Sequence, residues 1–166
     1  HPHNPTGRVW LKDELQKIAE ICYDNNVIVI SDEIHADMTF KGFEHIPFAT
    51  VSQKARDNSI TMMAASKSFN IAGLLSSFTI IPNAKIRETY NGFLEKSELN
   101  HPHIFATIAT AAALSREGEE YLEQLVDYIT DNVKYLENFI ADNIPQLKII
   151  SPQASYLVFI DFRSLG

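Results

Sequence analysis

The sequence predicts an α/β fold in which a mostly parallel sheet is flanked by helices. Three short runs rich in β-branched and other apolar residues, at 27–31, 58–65 and 77–81, have the composition of strands buried in a sheet. Segments with apolar residues at helical spacing lie before and after these runs. Buried strands that alternate with amphipathic helices are typical of the α/β class.

The predicted elements follow in order along the chain. Apolar residues recur every three or four positions over 11–25, with charged residues between them, which predicts a helix that packs on one face. Pro82 ends the third strand because proline has no N–H to donate to a sheet. Three further helices are predicted at 84–99, 104–114 and 117–142.

The last of these helices suggests two domains. It spans about seven turns at 3.6 residues per turn, and a helix of this length often connects domains, so we place a boundary near its middle. Residues 1–128 then belong to a large domain, and residues 129–166 begin a smaller α+β unit with strands at 148–150 and 155–162. The sequence opens with turn residues and closes just after a strand, so we expect an internal piece of a longer chain.

Composition excludes several classes of protein. The 166 residues include 14 Lys and Arg against 21 Asp and Glu, a net charge of −7. Such a chain lacks the basic surface that binds nucleic acids or anionic membranes, so we expect neither as a partner. The one cysteine, Cys22, allows no disulfide within the chain, and no apolar run approaches the ~20 residues that span a bilayer. We therefore expect a cytoplasmic protein.

Three polar clusters fall at the ends of predicted elements. They are Asn4-Pro5-Thr6-Gly7, Asp32-Glu33-Ile34-His35 and Ser66-Lys67-Ser68-Phe69-Asn70. Each cluster alone is most often an ordinary turn. Because ligands of parallel sheets collect at the carboxyl ends of the strands, the three clusters together indicate one binding site.

The side chains of these clusters suit one cofactor, pyridoxal phosphate. Burial at a strand end disfavours the ammonium form of Lys67 and leaves its amine able to attack an aldehyde. Asp32 also follows an apolar strand and needs a positive partner, which a protonated pyridine nitrogen supplies. The phenolic oxygen of the cofactor suits the amide of Asn4, and the phosphate suits Ser66 and nearby backbone amides.

The clusters carry a resemblance to a known family. Asn4–Gly7, Ser31–Asp37 and Ser66–Leu74 resemble the three signatures of fold-type I pyridoxal-phosphate enzymes. More narrowly, they resemble the cystathionine β-lyase-like (MalY/PatB) branch of the class I/II aminotransferase superfamily. The resemblance implies that residues 1–128 form the C-terminal half of the cofactor-binding large domain and that residues 129–166 begin the small C-terminal domain.

The resemblance also implies a role for each candidate residue. Lys67 matches the lysine that forms the Schiff base with pyridoxal phosphate, and Asp32 matches the partner of the pyridine nitrogen. Asn4 matches the residue that donates to the phenolic oxygen, and Ser66 matches a phosphate contact. His35 stands where many aminotransferases carry tyrosine, and its imidazole can donate to the phenolic oxygen or relay a proton.

The activity that the resemblance implies is that of a C–S β-lyase acting on sulfur amino acids. Leu75 occupies the position of a phosphate-binding arginine in the aminotransferase pattern, and Ala64 occupies that of a serine. These departures favour the lyase-like branch, or else a different phosphate-binding site. The first alternative is a class I/II aminotransferase, and the second is a non-catalytic regulatory or binding module. The family further implies a small-molecule amino acid substrate and a homodimer.

A metal site is the other reading of the six histidines. His1 and His3, like His101 and His103, are two residues apart, whereas a zinc-binding helix places its histidines four apart, and no cysteines assist. We therefore expect no metal. His101 and His103 remain candidates for the active-site cleft or for a subunit contact.

Overall fold

The computed structural model describes residues 1–101 and 103–166. Each predicted helix and strand is present, and one short helix, α2, was not predicted. In chain order the elements are helix α1 (Lys12–Asp24), strand β1 (Val29–Asp32), helix α2 (Gln53–Asp57), strands β2 (Ser59–Met63) and β3 (Phe78–Ile80), helices α3 (Ala84–Lys96), α4 (Ile104–Ala113) and α5 (Arg116–Asn143), and strands β4 (Lys148–Ile150) and β5 (Phe159–Asp161).

The first three strands form one sheet in the order β1-β2-β3. β1 and β2 are parallel, with Val29 opposite Ser59, whereas β2 and β3 are antiparallel, with Thr61 opposite Ile80. The helix α2 lies on the connection between the two parallel strands. The connection between β2 and β3 contains only a 3₁₀ turn at Ala72–Leu74, so no helix carries the chain back for a parallel crossover. The α/β class is confirmed, and the third strand departs from the expected parallel direction.

The last predicted strand is shorter than expected. It was predicted over 155–162, but β5 covers only Phe159–Asp161, which pairs antiparallel with β4. The residues before it bond elsewhere: Ala154 forms an isolated antiparallel bridge with Thr39, and Ser155 has a positive φ of 75°. Because Ala154 pairs with Thr39, the residues around it do not continue β5.

Two buried clusters hold the helices in place. Leu15 and Ala19 of α1 pack against Phe48, Val51 and Ala55, so α1 and α2 cover the same part of the molecule. The second cluster joins Phe40 to Val126 and Val133 of α5. The two valines are seven residues apart and therefore lie on one face of the helix.

Helix α5 runs without a break from Arg116 to Asn143. The Ser115 side chain caps it by accepting a hydrogen bond from the N–H of Gly118 (3.3 Å). The helix passes through the predicted boundary between residues 128 and 129, and that boundary stays a prediction. Within residues 1–101 and 103–166, no helix is both long and apolar enough to cross a bilayer.

Candidate functional site

A cavity of about 520 Å³ opens at the carboxyl end of β1. Four of the five predicted site residues line it, namely Asn4, Asp32, His35 and Lys67. Ser66, which the structure also describes, is half-buried beside Lys67 but stands outside the cavity wall. The three clusters that the sequence separates by about thirty residues each therefore meet at one place.

The first cluster is a tight turn that holds Asn4 at the cavity. The N–H of Gly7 donates to the carbonyl of His3 (2.7 Å), and the N–H of His3 donates to the carbonyl of Arg8 (2.9 Å). Gly7 has a φ of +67°, and a Cβ at this position would lie 2.5 Å from the Cβ of Pro152. The turn therefore requires glycine both for its backbone angle and for the space it leaves.

The same segment is bonded directly to the end of β1. The main-chain nitrogen of His1 donates to the carbonyl of Asp32 (2.7 Å), and the His1 ring bonds the carbonyl of Ile46 (3.0 Å). A carboxylate oxygen of Asp32 accepts from the N–H of Ile34 (3.2 Å), which orients the side chain just beyond the strand. Asn4 and Asp32 are thus fixed relative to each other through the backbone.

Ser68 anchors the loop that carries Lys67. Its side chain is fully buried, and its hydroxyl donates to Asp37 (3.2 Å) in the 3₁₀ turn that follows β1. The N–H of Phe69 closes the loop on the carbonyl of Ala65 (3.0 Å). Lys67, which is half-buried, therefore projects into the cavity from a loop tied to the same region as Asp32.

Glu33 is a buried carboxylate next to Asp32, outside the cavity wall, to which sequence reasoning gave no role. Only 1% of it is exposed, and it accepts hydrogen bonds from the Ser31 hydroxyl (2.8 Å), the Phe48 N–H (2.9 Å) and His45 Nε2 (2.8 Å). Burial raises the pKa of Glu33, but the hydrogen bonds from His45, Phe48 and Ser31 outweigh burial and hold the pKa below its ordinary value. The available signal was strand alternation, which places residues 31 and 33 on one face.

His35 is buried, with 4% of its surface exposed. Its Nδ1 lies 3.1 Å from the hydroxyl of Ser155, and the Tyr156 ring approaches it edge-on, with 5.7 Å between ring centroids. Burial lowers the pKa of His35; the nearby carboxylate of Asp32 acts against this shift, and the ammonium of Lys67 adds to it. The imidazole is therefore uncharged at neutral pH, and its pKa depends on the charges of both Asp32 and Lys67.

The rings of His1 and His3 form hydrogen bonds to residues in loops. His3 Nδ1 bonds the hydroxyl of Thr6 (2.8 Å), and the His1 ring lies tilted against that of His45, with 4.5 Å between centroids. In the described residues no group of three or more His, Cys, Asp or Glu side chains is placed to hold a metal ion. His101 and His103 are exposed and lie outside the cavity wall.

Two buried groups make stability depend on pH in the same direction. Because the pKa of His35 is lowered in the folded state, the unfolded chain takes up its proton first as the pH falls below 6.5. The lowered pKa of Glu33 acts in the same way below 4.5. We expect the free energy of unfolding of the full-length protein to decrease between about pH 7 and pH 5, and more steeply below. Urea denaturation at each pH measures this change.

The variant His35→Gln is the control for the first part of that curve. It removes the imidazole and should flatten the decrease between about pH 7 and pH 5 while leaving the steeper fall at lower pH. A wild-type protein that gains stability on acidification over this interval would contradict the assignment.

Comparison with known proteins gives relatives over nearly the whole chain. A family model described as aminotransferase class I and II matches residues 1–165. Cystathionine β-lyase PatB of Bacillus subtilis (strain 168) is 41% identical over 166 residues, which are 100% of this chain and 43% of that protein. The chain therefore spans less than half the length of this relative.

Solved structures agree with this fold and contain the expected cofactor. A pyridoxal-phosphate-bound protein of Clostridium difficile 630, assigned as an aminotransferase, superposes with a TM-score of 0.96 at 41% identity, covering 100% of this chain and 43% of its own. The pyridoxal-phosphate-bound C–S lyase of Staphylococcus hominis gives a TM-score of 0.88 at 40% identity, covering 98% and 40%. The resemblance predicted from the three clusters is confirmed.

Proposed function

Because this chain belongs to the class I and II aminotransferase family, we propose that the full-length protein is a pyridoxal-phosphate-dependent C–S β-lyase that acts on sulfur amino acids such as cystathionine. The observation that carries the proposal is that Lys67 and Asp32 line one cavity together with Asn4 and His35. The names of two relatives support the lyase reaction over its alternative, since one is a cystathionine β-lyase and another a C–S lyase.

The residues of the cavity fit pyridoxal phosphate in chemical type. An amine for the aldehyde comes from Lys67, a carboxylate for the protonated pyridine nitrogen from Asp32, and an amide for the phenolic oxygen from Asn4. The phosphate has weaker support in this chain, because Ser66 stands outside the cavity wall and Leu75 is 91% exposed. We keep Ser66 as a proposed phosphate contact.

When bound, the cofactor supplies an electron sink for the charge that develops at the substrate α-carbon. Lys67 would hold the cofactor, and its free amine would remove the α-proton as the general base. Asp32 keeps a proton on the pyridine nitrogen through its negative charge. The reaction converts a sulfur amino acid and water into pyruvate, ammonia and a thiol. The departing sulfur can therefore accept the proton that Lys67 removes from the α-carbon.

We expect the full-length protein to release pyruvate from cystathionine, measured by a coupled reduction of the keto acid. Transfer of the amino group to an added keto acid, with no pyruvate formed, would replace the lyase with the aminotransferase alternative. Retention of pyridoxal phosphate without either reaction would favour the regulatory or binding module. A small-molecule amino acid substrate, a homodimer and a cytoplasmic location are our further proposals, and they rest on the family resemblance and the composition.

A further inference from the structure

We propose that Ser155 is a positioning residue that fixes the imidazole of His35 and, by donating its hydroxyl hydrogen to Nδ1, keeps the proton of the neutral ring on Nε2 toward the cavity. The contact joins residues 120 positions apart, with 3.1 Å between the hydroxyl oxygen and Nδ1. The consequence for a bound cofactor rests on the proposed function, whereas the contact itself does not.

Ser155 is held in place by its backbone. Its N–H donates to the carbonyl of Met38 (2.9 Å), three residues beyond His35, and only 1% of the residue is exposed. Two residues earlier, the N–H of Gln153 donates to the carbonyl of Gly7 (3.0 Å). The carbonyl of Gln153 accepts from the N–H of Phe40 (2.9 Å). The segment is therefore tied to the Asn4–Gly7 turn and to the residues that follow His35, and the hydroxyl has little freedom to leave the ring.

The backbone of Ser155 also points to a role for its side chain. Its φ of +75° lies in the region that glycine adopts readily and other residues adopt only at a cost in free energy. Glycine would satisfy the backbone at lower cost, but it has no hydroxyl to reach His35. Strain of this kind is often concentrated at functional sites, where a neighbouring structure maintains it.

The Ser155 contact decides which ring nitrogen is available to the cavity. With Nδ1 occupied by the Ser155 hydroxyl, Nε2 is the nitrogen left for the cavity, which His35 lines. The charged side chains that act on the ring are the carboxylate of Asp32 and the ammonium of Lys67. Tyr156 faces the ring with its edge. An Nε2–H would give the phenolic oxygen of a bound pyridoxal a second donor beside the amide of Asn4.

The test is the tautomer of His35 in the full-length holoenzyme labelled with ¹⁵N-histidine. The Nδ1 and Nε2 chemical shifts distinguish the two neutral forms, and the variant His35→Gln identifies the signals by their loss. We expect the wild-type ring to carry its proton on Nε2. The variants Ser155→Ala and Ser155→Gly should each shift the tautomer ratio about fivefold toward Nδ1–H, the change that losing one neutral hydrogen bond produces.

The two variants separate the hydroxyl from the backbone. Alanine keeps the strained φ and glycine relieves it, so a change in the tautomer ratio that both variants share identifies the loss of the hydroxyl as its cause. If the alanine variant does not fold, the glycine variant still provides the test. The control is Ser151→Ala, which removes a hydroxyl bonded to Glu137 in the same segment and should leave the tautomer unchanged. A wild-type ring protonated on Nδ1, or a ratio unaffected in the alanine and glycine variants, would overturn the proposal. Absence of pyruvate release with the expected tautomers would overturn only the proposed function.

Discussion

Replacing Lys67 with alanine in the full-length protein is expected to remove the visible absorption of the bound cofactor and to reduce pyruvate release below detection. The amine is the group that would hold the cofactor and move the α-proton, and loss of a general base alone typically costs about 10²–10⁴ in rate. The measurements are the absorption spectrum after desalting and the keto acid formed with time.

The control is Lys17→Ala, because Lys17 is exposed on α1 and its replacement changes the net charge by the same amount as the replacement of Lys67. It should retain both the spectrum and the rate. Circular dichroism of both variants checks that the overall secondary structure is retained. A Lys67→Ala protein whose cofactor can still be fixed to the protein by borohydride would remove Lys67 from the proposed role.

Replacing Glu33 with alanine is expected to reduce the free energy of unfolding by about 3–5 kcal/mol, because three donors in a buried site lose their acceptor and each such loss costs about 1–3 kcal/mol. The substitution leaves the Ser31 hydroxyl, the Phe48 N–H and His45 Nε2 without the acceptor they share in a buried site. Because whole domains are stable by only about 5–15 kcal/mol, this change is large. Urea denaturation of the full-length protein measures it.

Two further variants make the Glu33 result specific. Glu33→Gln keeps one carbonyl oxygen for Ser31 and Phe48 and should cost less, about 1.5–3 kcal/mol for the lost charge-assisted bond. Glu44→Ala removes an exposed carboxylate from the same connection and should change stability by no more than about 0.5 kcal/mol. Equal stabilities for the Glu33→Ala and Glu44→Ala proteins would show that the buried hydrogen bonds contribute nothing.

The local signals in the sequence were enough for the elements and for the residues around the cavity. Helical spacing predicted α1, α3, α4 and α5, since that periodicity is a property of neighbouring residues. The same holds for Asp32 and Lys67, because both follow a strand of apolar composition and the carboxyl ends of neighbouring parallel strands meet. These inferences need no knowledge of distant contacts.

Long-range contacts decided what the sequence did not indicate. Whether Asp32 or its neighbour Glu33 is buried depends on where His45 and Phe48 come to lie, and the direction of β3 depends on how the chain turns after Lys67. Sequence patterning determined the composition of the site and the parallel pairing of β1 and β2. Only the tertiary structure brought Ser155 to His35, because that hydrogen bond depends on how the chain returns after 120 residues, and no local pattern records the path.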